Sequence, residues 1–246
     1  MNKKSKLDIS TRAPKRFDKE KIKKETNEIL EKIKNLQKVF YASGKNALLI
    51  VVQGLDASGK DGLISSLCTG INPMGCTVHS FKAPTPEELK HDFLWRVHSV
   101  APAKGMIQIF NRSHYEDVLV TRVVKIIDNK TAKKRFEQIN QFEKLLIENG
   151  TKILKFYLHV SREKQAERLK ERETNPEKFW KHNDDDWETN QRWNEYRNAY
   201  EDVLQNCNNP QWTIVPSDQN WYKEYLVAKK VYQTLKAMKL SYPKEQ

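Results

Sequence analysis

Cysteine is scarce: Cys68, Cys76 and Cys207 are the only three in 246 residues, an odd number without metal-ligand spacing. That pattern excludes a disulfide framework and a cysteine-built zinc site, and the three read as reduced thiols of a cytoplasmic protein. No apolar run approaches the ~20 residues of a membrane span, and the N-terminus lacks the apolar core of a signal peptide. Neither an internal repeat nor a low-complexity linker is visible. Acid is in deficit, with 32 Asp and Glu against 44 Lys and Arg, for a formal charge of +12. Such a balance predicts a polyanionic partner, whether nucleic acid, an anionic membrane surface or some other chain of phosphates. Glycine is also sparse at eight residues, yet Gly54, Gly59 and Gly62 fall within one short stretch.

What is present is organised around that stretch. Leu48 to Val52 is a short apolar, partly β-branched run that reads as a buried parallel strand. Gly54-Leu55-Asp56-Ala57-Ser58-Gly59-Lys60 follows at once, and then a helical pattern from Gly62 to Cys68. Strand, Gly-x-x-x-x-Gly-Lys and helix together are the context of a phosphate-binding loop. Backbone amides converge on phosphate oxygens there, the helix N-terminus adds partial positive charge, and Lys60, on a surface loop, adds a full one. The competing reading is a chance glycine turn. Asp61 stands where most such loops carry Ser or Thr. Asp56 inside the loop would repel bare phosphate, so it reads as a ligand of a bridging Mg²⁺, or else as a cap on the loop's own amides.

Residues 1–46 carry fourteen Lys and Arg against six Asp and Glu. They divide into an extended arm to Arg16 and a helix from Asp18 to Tyr41, whose face is Ile22, Ile29, Ile33, Leu36 and Phe40. Its lysines are either a solvated face or a basic track for the polyanion. Residues 47–246 read as one α/β domain built around the phosphate loop. Its further strands are expected at Thr77–Lys82, Met106–Phe110, Ile153–Val160 and Thr213–Val215. A helix is expected from Glu87 to Val97, another after the polar run Asn111 to Asp117, then Thr131–Asn149, a helix through Arg168 and Arg172, Trp187–Leu204 and Trp221–Leu240. Lys82, Asn111 and Arg112 fall at carboxyl ends of strands, the ligand-binding edge of an open parallel sheet. Glu116 and Asp117 are metal or water ligands, or simple helix N-terminal acids.

Asn175 to Trp187 is a charged, aromatic loop that reads as a lid over the phosphate site, within a lid region of about 173–190, or as an ordinary solvated loop. Asp184, Asp185 and Asp186 read as a lid tip or cap rather than a metal site. The six histidines form no metal pair on a helical face.

The stretches GLDASGKDG, FKAPTPEELKHDFLWR, FNRSHYEDVLVTRV and NPEKFWK resemble the polyphosphate kinase 2 family over nearly the whole chain. The resemblance implies a three-layer α/β/α P-loop kinase fold of the thymidylate-kinase type, with a parallel sheet and a helical lid. It implies Mg²⁺-dependent, reversible phosphoryl transfer between inorganic polyphosphate and nucleotides, with Mn²⁺ as a possible substitute, by a homodimer or homotetramer. Carried over residue by residue, Asp56, Lys60 and Asp61 belong to the phosphate loop, Asn111 and Arg112 form the second-motif pair, and Arg172 is the lid arginine. One branch of the family carries Asp at the position of Asn111. The Asn form resembles class III, whose acceptors include nucleoside mono- and diphosphates.

On this footing Asp56, Lys60, Arg112 and Arg172 are the candidate catalytic residues. Gly54, Ala57, Ser58, Gly59, Asp61, Gly62, Lys82, Asn111, Arg122, Arg168 and Lys181 are candidates for phosphate or nucleotide binding. Asp56, Asp61, Glu116 and Asp117 are the candidate Mg²⁺ ligands. By charge alone, Lys82 and Arg122 guide the polyphosphate. Two other classes share much of this pattern: a nucleoside monophosphate kinase using ATP, and a nucleic-acid-binding ATPase. The latter lacks any recognition motif, so neither nucleic acid nor membrane is an expected partner.

Overall fold

The computed structural model describes residues 5–183 and 185–243. Asp184 of the acidic run and the first four residues of the basic arm lie outside them.

The first helix, α1 (Lys19–Ser43), starts where the Asp18 carboxylate accepts the Lys21 amide at 2.8 Å and stops at Gly44, whose φ is 57°. Strand β1 (Ala47–Gln53) is buried along its whole length. It is followed by α2 (Lys60–Cys68), β2 (Cys76–Ser80), α3 (Trp95–His98), β3 (Ile107–Asn111), α4 (Val120–Val123), α5 (Asn129–Glu148) and β4 (Thr151–His159). The chain closes with α6 (Arg162–Thr174), α7 (Asp185–Gln191), α8 (Trp193–Asn206), β5 (Trp212–Pro216) and α9 (Asn220–Ala237).

The five strands form one parallel sheet in the order β2-β3-β1-β4-β5. Central β1 shows why its sequence is a continuous apolar run rather than an alternation. Leu49 and Val51 enter a core with α5 and α8, while Leu48, Ile50 and Val52 enter a second core with α1, α2 and α9. Both faces are therefore covered, giving three layers. The connection after β1 runs to β2 on one side and the connection after β3 crosses to β4 on the other, so a crevice opens between the carboxyl ends of β1 and β3, where the glycine loop sits.

The basic arm is pinned to the domain. Leu7 is buried, its amide donates to Glu201 at 2.9 Å, and the Thr11 hydroxyl donates to Asp218 at 2.7 Å. Among the described residues no helix is long and apolar enough to cross a membrane.

Three expected elements differ. The helix expected over Glu87–Val97 is a short 3-10 turn at Glu88–Lys90 followed by α3. Thr85 and Glu88 do form reciprocal capping bonds, but His91 is extended and the Asp92 carboxylate takes the Leu94 amide at 2.9 Å, restarting the chain. After Asn111 the chain runs through a 3-10 turn, His114–Val118, before the single turn of α4. The stretch 175–187, a loop when read from its residues, is helical as the family resemblance implies: a 3-10 segment, Pro176–Lys181, leads to α7, and α8 starts separately at Trp193.

Candidate active site

The glycine loop is shaped by what presses on it. A Cβ on Gly54 would stand 3.0 Å from Leu158 on β4 and 2.7 Å from the Ser58 hydroxyl, so only glycine lets strand and loop approach. Gly59, at φ 93°, is the N-cap of α2. Ala57 is left-handed at φ 57°, a conformation that costs a non-glycine residue about 1–3 kcal/mol and persists only where the surroundings fix it. The fixing contacts come from distant chain. Gln165 donates to the Asp56 carbonyl at 3.0 Å, Arg168 to the Ala57 carbonyl at 3.0 Å, and the Ser217 hydroxyl to the Ser58 carbonyl at 2.6 Å. Lys223 donates to the Gly59 carbonyl at 2.9 Å. Lys60 is buried, against the surface position expected for it, and its ammonium holds the carbonyls of Gly54 and Leu55 at 2.8 and 3.1 Å. Burial pushes its pKa down.

The second wall is the end of β3. The Arg112 amide donates to the Val52 carbonyl at 3.0 Å, which ties its left-handed backbone (φ 62°) to the loop strand. Its guanidinium pairs with Asp56. Burial opposes charge on Asp56, but Arg112, Lys60, the Thr189 hydroxyl and Arg172 outweigh it and hold the carboxyl below its ordinary range. The turn after Arg112 is anchored from behind. Gln53 donates to the Ser113 hydroxyl at 2.9 Å, and Glu143 accepts from the Tyr115 hydroxyl at 2.7 Å and from Lys155 at 2.6 Å, all inside the core. Asn111 donates to the Asp61 carboxylate at 2.9 Å, while its own carbonyl oxygen is buried without a partner.

The lid forms the roof. Arg172 pairs with Asp186, and Thr189 of α7 donates to Asp56 at 3.1 Å. Lys181 stands 3.9 Å from Asp61, and Trp180, 76% exposed, lies on the rim.

These walls enclose a cleft of about 640 Å³. Asp56, Ala57, Gly59, Lys60, Asp61, Gly62, Lys82, Asn111, Arg112, Arg168, Arg172 and Lys181 all line it, as the sequence analysis grouped them. Each carboxylate in its lining has a cation beside it: Asp56 has Arg112, Asp61 has Lys181, Glu171 has Lys178 and Asp186 has Arg172. Lys60, Lys82, Arg168 and Lys223 have no ion-pair partner among the described residues, so the cleft keeps a positive excess.

Five candidates do not line it: Gly54 and Ser58 are buried within the loop, behind the cleft surface, and three others lie elsewhere. Arg122 pairs with Asp202 at 2.8 Å and lines a separate cavity between α4, α5 and α8. Asp117 sits 3.8 Å from Arg135. Glu116 is behind Arg112 at 3.9 Å, and burial raises its pKa despite Arg112 and Lys60. Gln165, Thr189, Ser217 and Lys223 were not legible as site residues, because each reaches the loop across more than a hundred residues of chain.

Among the described residues no three His, Cys, Asp or Glu side chains cluster as a closed metal site. The donor set nevertheless suits a hard divalent ion. Asp56 and Asp61 offer carboxylates on the cleft, and Asn111, whose amide nitrogen donates to Asp61, keeps a buried oxygen without a partner. Mg²⁺ is commonly held by only one or two carboxylates together with substrate phosphates.

The family model for Polyphosphate kinase 2 (PPK2) matches residues 16–243. An AMP/ADP-polyphosphate phosphotransferase from Meiothermus ruber is 44% identical over 214 residues, covering 86% of this chain and 80% of that protein. An ADP-polyphosphate phosphotransferase from Rhodopseudomonas palustris is 40% identical over 228 residues, covering 87% and 79%. The crystal structure of Polyphosphate Kinase 2 from Arthrobacter aurescens TC1 superposes with a TM-score of 0.94 at 31% identity, covering all of this chain and 90% of the other. With a phosphate loop facing an arginine-bearing strand end under a lid, and with matches spanning nearly its whole length, the chain is a kinase that belongs to the polyphosphate kinase 2 family.

Proposed function

We propose that this enzyme moves a phosphoryl group reversibly between inorganic polyphosphate and nucleotides, converting ADP and GDP to triphosphates and AMP to ADP, with Mg²⁺ as the metal. The observation that carries this is the convergence of Lys60, Arg112 and Arg172 on one cleft whose positive excess suits a phosphate chain. Phosphoryl transfer needs positioning and charge neutralisation more than covalent help. The amides at the start of α2 seat phosphate oxygens, and Lys60 fixes the loop and adds charge. Arg112, held by its backbone to β1, and Arg172, from the lid, place planar donors on the equatorial oxygens of the migrating group. The acceptor is a phosphate oxygen, already ionised near neutrality, so no strong base is required. Mg²⁺, held by Asp56 and Asp61 together with the substrate phosphates, would neutralise charge between donor and acceptor. Thr189 links lid and loop through Asp56, which helps to exclude water. The homodimer or homotetramer implied by the family resemblance stays part of this reading, and light scattering tests it.

The deciding experiment supplies polyphosphate as sole phosphoryl donor, with Mg²⁺ and AMP, ADP, GMP or GDP separately, and resolves the products. Nucleotide turnover with ATP but none with polyphosphate would replace this reading with an ATP-dependent monophosphate kinase.

The charge of the cleft predicts a salt effect. Affinity for long polyphosphate should fall steeply with rising salt, because several cations engage a dense polyanion and release its counterions, while affinity for ADP falls much less. Equal slopes in the two titrations would argue against an extended cationic track.

Asn111 predicts an acceptor effect. Its amide lies 2.9 Å from Asp61, so Asn111→Asp sets two carboxylates against each other where a donor met an acceptor. The fold should survive, and the ratio of AMP to ADP phosphorylation should fall by about tenfold, the size of one charge-assisted contact. Parallel initial rates with the two acceptors check it; an unchanged ratio removes Asn111 from acceptor selection.

A further inference from the structure

Lys223 belongs to none of the motifs that mark the phosphate loop. It lies in the first turn of α9, only 1% exposed, and still lines the cleft. Its ammonium donates to the Gly59 carbonyl at 2.9 Å and to the Asn220 side chain at 3.1 Å. A lysine has three N–H donors, so one is left over. The fit against the loop is close: a Cβ on Gly59 would come within 2.4 Å of the Lys223 nitrogen. No carboxylate among the described residues pairs with it. The charged groups around it are Arg168 of α6, Asp61 of α2 and Glu224 of its own helix. Burial, and then Arg168, bring its pKa down to about 8. A buried ammonium without a counter-ion is costly unless something supplies the missing charge. Gly59 is the N-cap of α2, where open amides favour an anion. Lys60 holds the entry of the loop at Gly54 and Leu55, whereas Lys223 holds its exit.

Resting on the polyphosphate phosphotransferase reading above, we propose that Lys223 is a second lysine of the phosphate site, whose free N–H binds an oxygen of the phosphate seated on the amides at the start of α2. The same ammonium, through the Gly59 carbonyl, keeps those amides turned to the cleft.

The test measures binding of inorganic tripolyphosphate by calorimetry over a salt series, with thermal melts of every variant. Lys223→Met keeps the stem and removes the charge. It should bind about 10- to 100-fold more weakly, the loss of one charge-assisted contact, and its slope of log affinity against log salt should fall by about one charge. Lys223→Arg should recover most of both. If Lys223→Met does not fold, the native protein and Lys223→Arg suffice. A bound anion raises the pKa of the ammonium, so native protein near pH 8 should take up more protons on binding tripolyphosphate than Lys223→Arg does. Native affinity and slope in a folded Lys223→Met, or equal proton uptake in the second comparison, overturns the assignment. Turnover of polyphosphate by the native enzyme is scored separately. If it is absent, the functional reading falls; if it is present while Lys223→Met binds normally, only the role of Lys223 falls.

Discussion

Lys60→Ala is expected to lower polyphosphate-dependent turnover by about 10³-fold, the scale seen when a preorganised charge is removed from a transition state. Two losses add. The positive charge at the loop disappears, and the carbonyls of Gly54 and Leu55 lose the ammonium that holds them at 2.8 and 3.1 Å. Because Lys60 is buried rather than displayed on a surface loop, the variant should also melt at a lower temperature. An unsatisfied buried carbonyl costs about 1–3 kcal/mol. Lys60→Arg should not restore activity, since a planar guanidinium cannot replace a compact ammonium within the loop. Single-turnover rates at saturating polyphosphate, beside thermal melts, separate the chemical loss from the structural one. A folded Lys60→Ala that keeps more than about a tenth of native turnover would remove the lysine from the mechanism.

The order in which these residues become legible follows the range of the forces involved. The apolar run of β1, the glycines beside it and the start of α2 are adjacent in sequence, so strand, loop and helix could be read together. Asn111 and Arg112 were legible because they end an apolar strand, and parallel strands bring such ends to one edge. The interrupted segment around Asp92 was not, because a local carboxylate-to-amide bond defeats a helical pattern that composition alone favours. Read from its residues alone the lid stretch is a loop, because it is polar, and only the family resemblance implied its helices; tertiary partners stabilise its turns: Arg172 against Asp186, Lys178 against Glu171 and Thr189 against Asp56. Arg122 and Asp117 share a basic or acidic character with true cleft residues, but α4 and the turn before it carry them to Asp202 and Arg135 instead. Lys155 is the reverse case, a charge within an apolar strand whose partner, Glu143, lies on the helix before it.

Asp56→Asn is expected to cut turnover by about 10²-fold at saturating Mg²⁺ and to raise the Mg²⁺ concentration for half-maximal rate by about tenfold. Asp56 is the carboxylate on which the site converges. Arg112 pairs with it, the Thr189 hydroxyl reaches it at 3.1 Å, and Gln165 fixes its backbone carbonyl at 3.0 Å. Against the cost of burial, Arg112 and Lys60 hold its pKa below the ordinary carboxylate range, so it is ionised at neutral pH. Asn keeps the shape and the Thr189 contact but not the charge. Arg112 then loses its nearer counter-ion, with Glu116 left at 3.9 Å, and a hard divalent ion loses one of the two carboxylates proposed to hold it. The two losses have different signatures. If Asp56 acted only by anchoring Arg112, then Asp56→Asn and Arg112→Lys would slow the enzyme through one shared interaction, their double variant would be little worse than either single one, and the Mg²⁺ midpoint would stay put. If Asp56 also holds the metal, the midpoint rises in Asp56→Asn and not in Arg112→Lys. The place of Asp56 on the cleft wall, in a lining that also carries Asp61, favours the second outcome. Initial rates over a Mg²⁺ titration at fixed polyphosphate and ADP, for the native enzyme, both single variants and the double variant, decide between them. An unshifted midpoint in Asp56→Asn would leave Asp56 as the anchor of Arg112 and move the metal to Asp61.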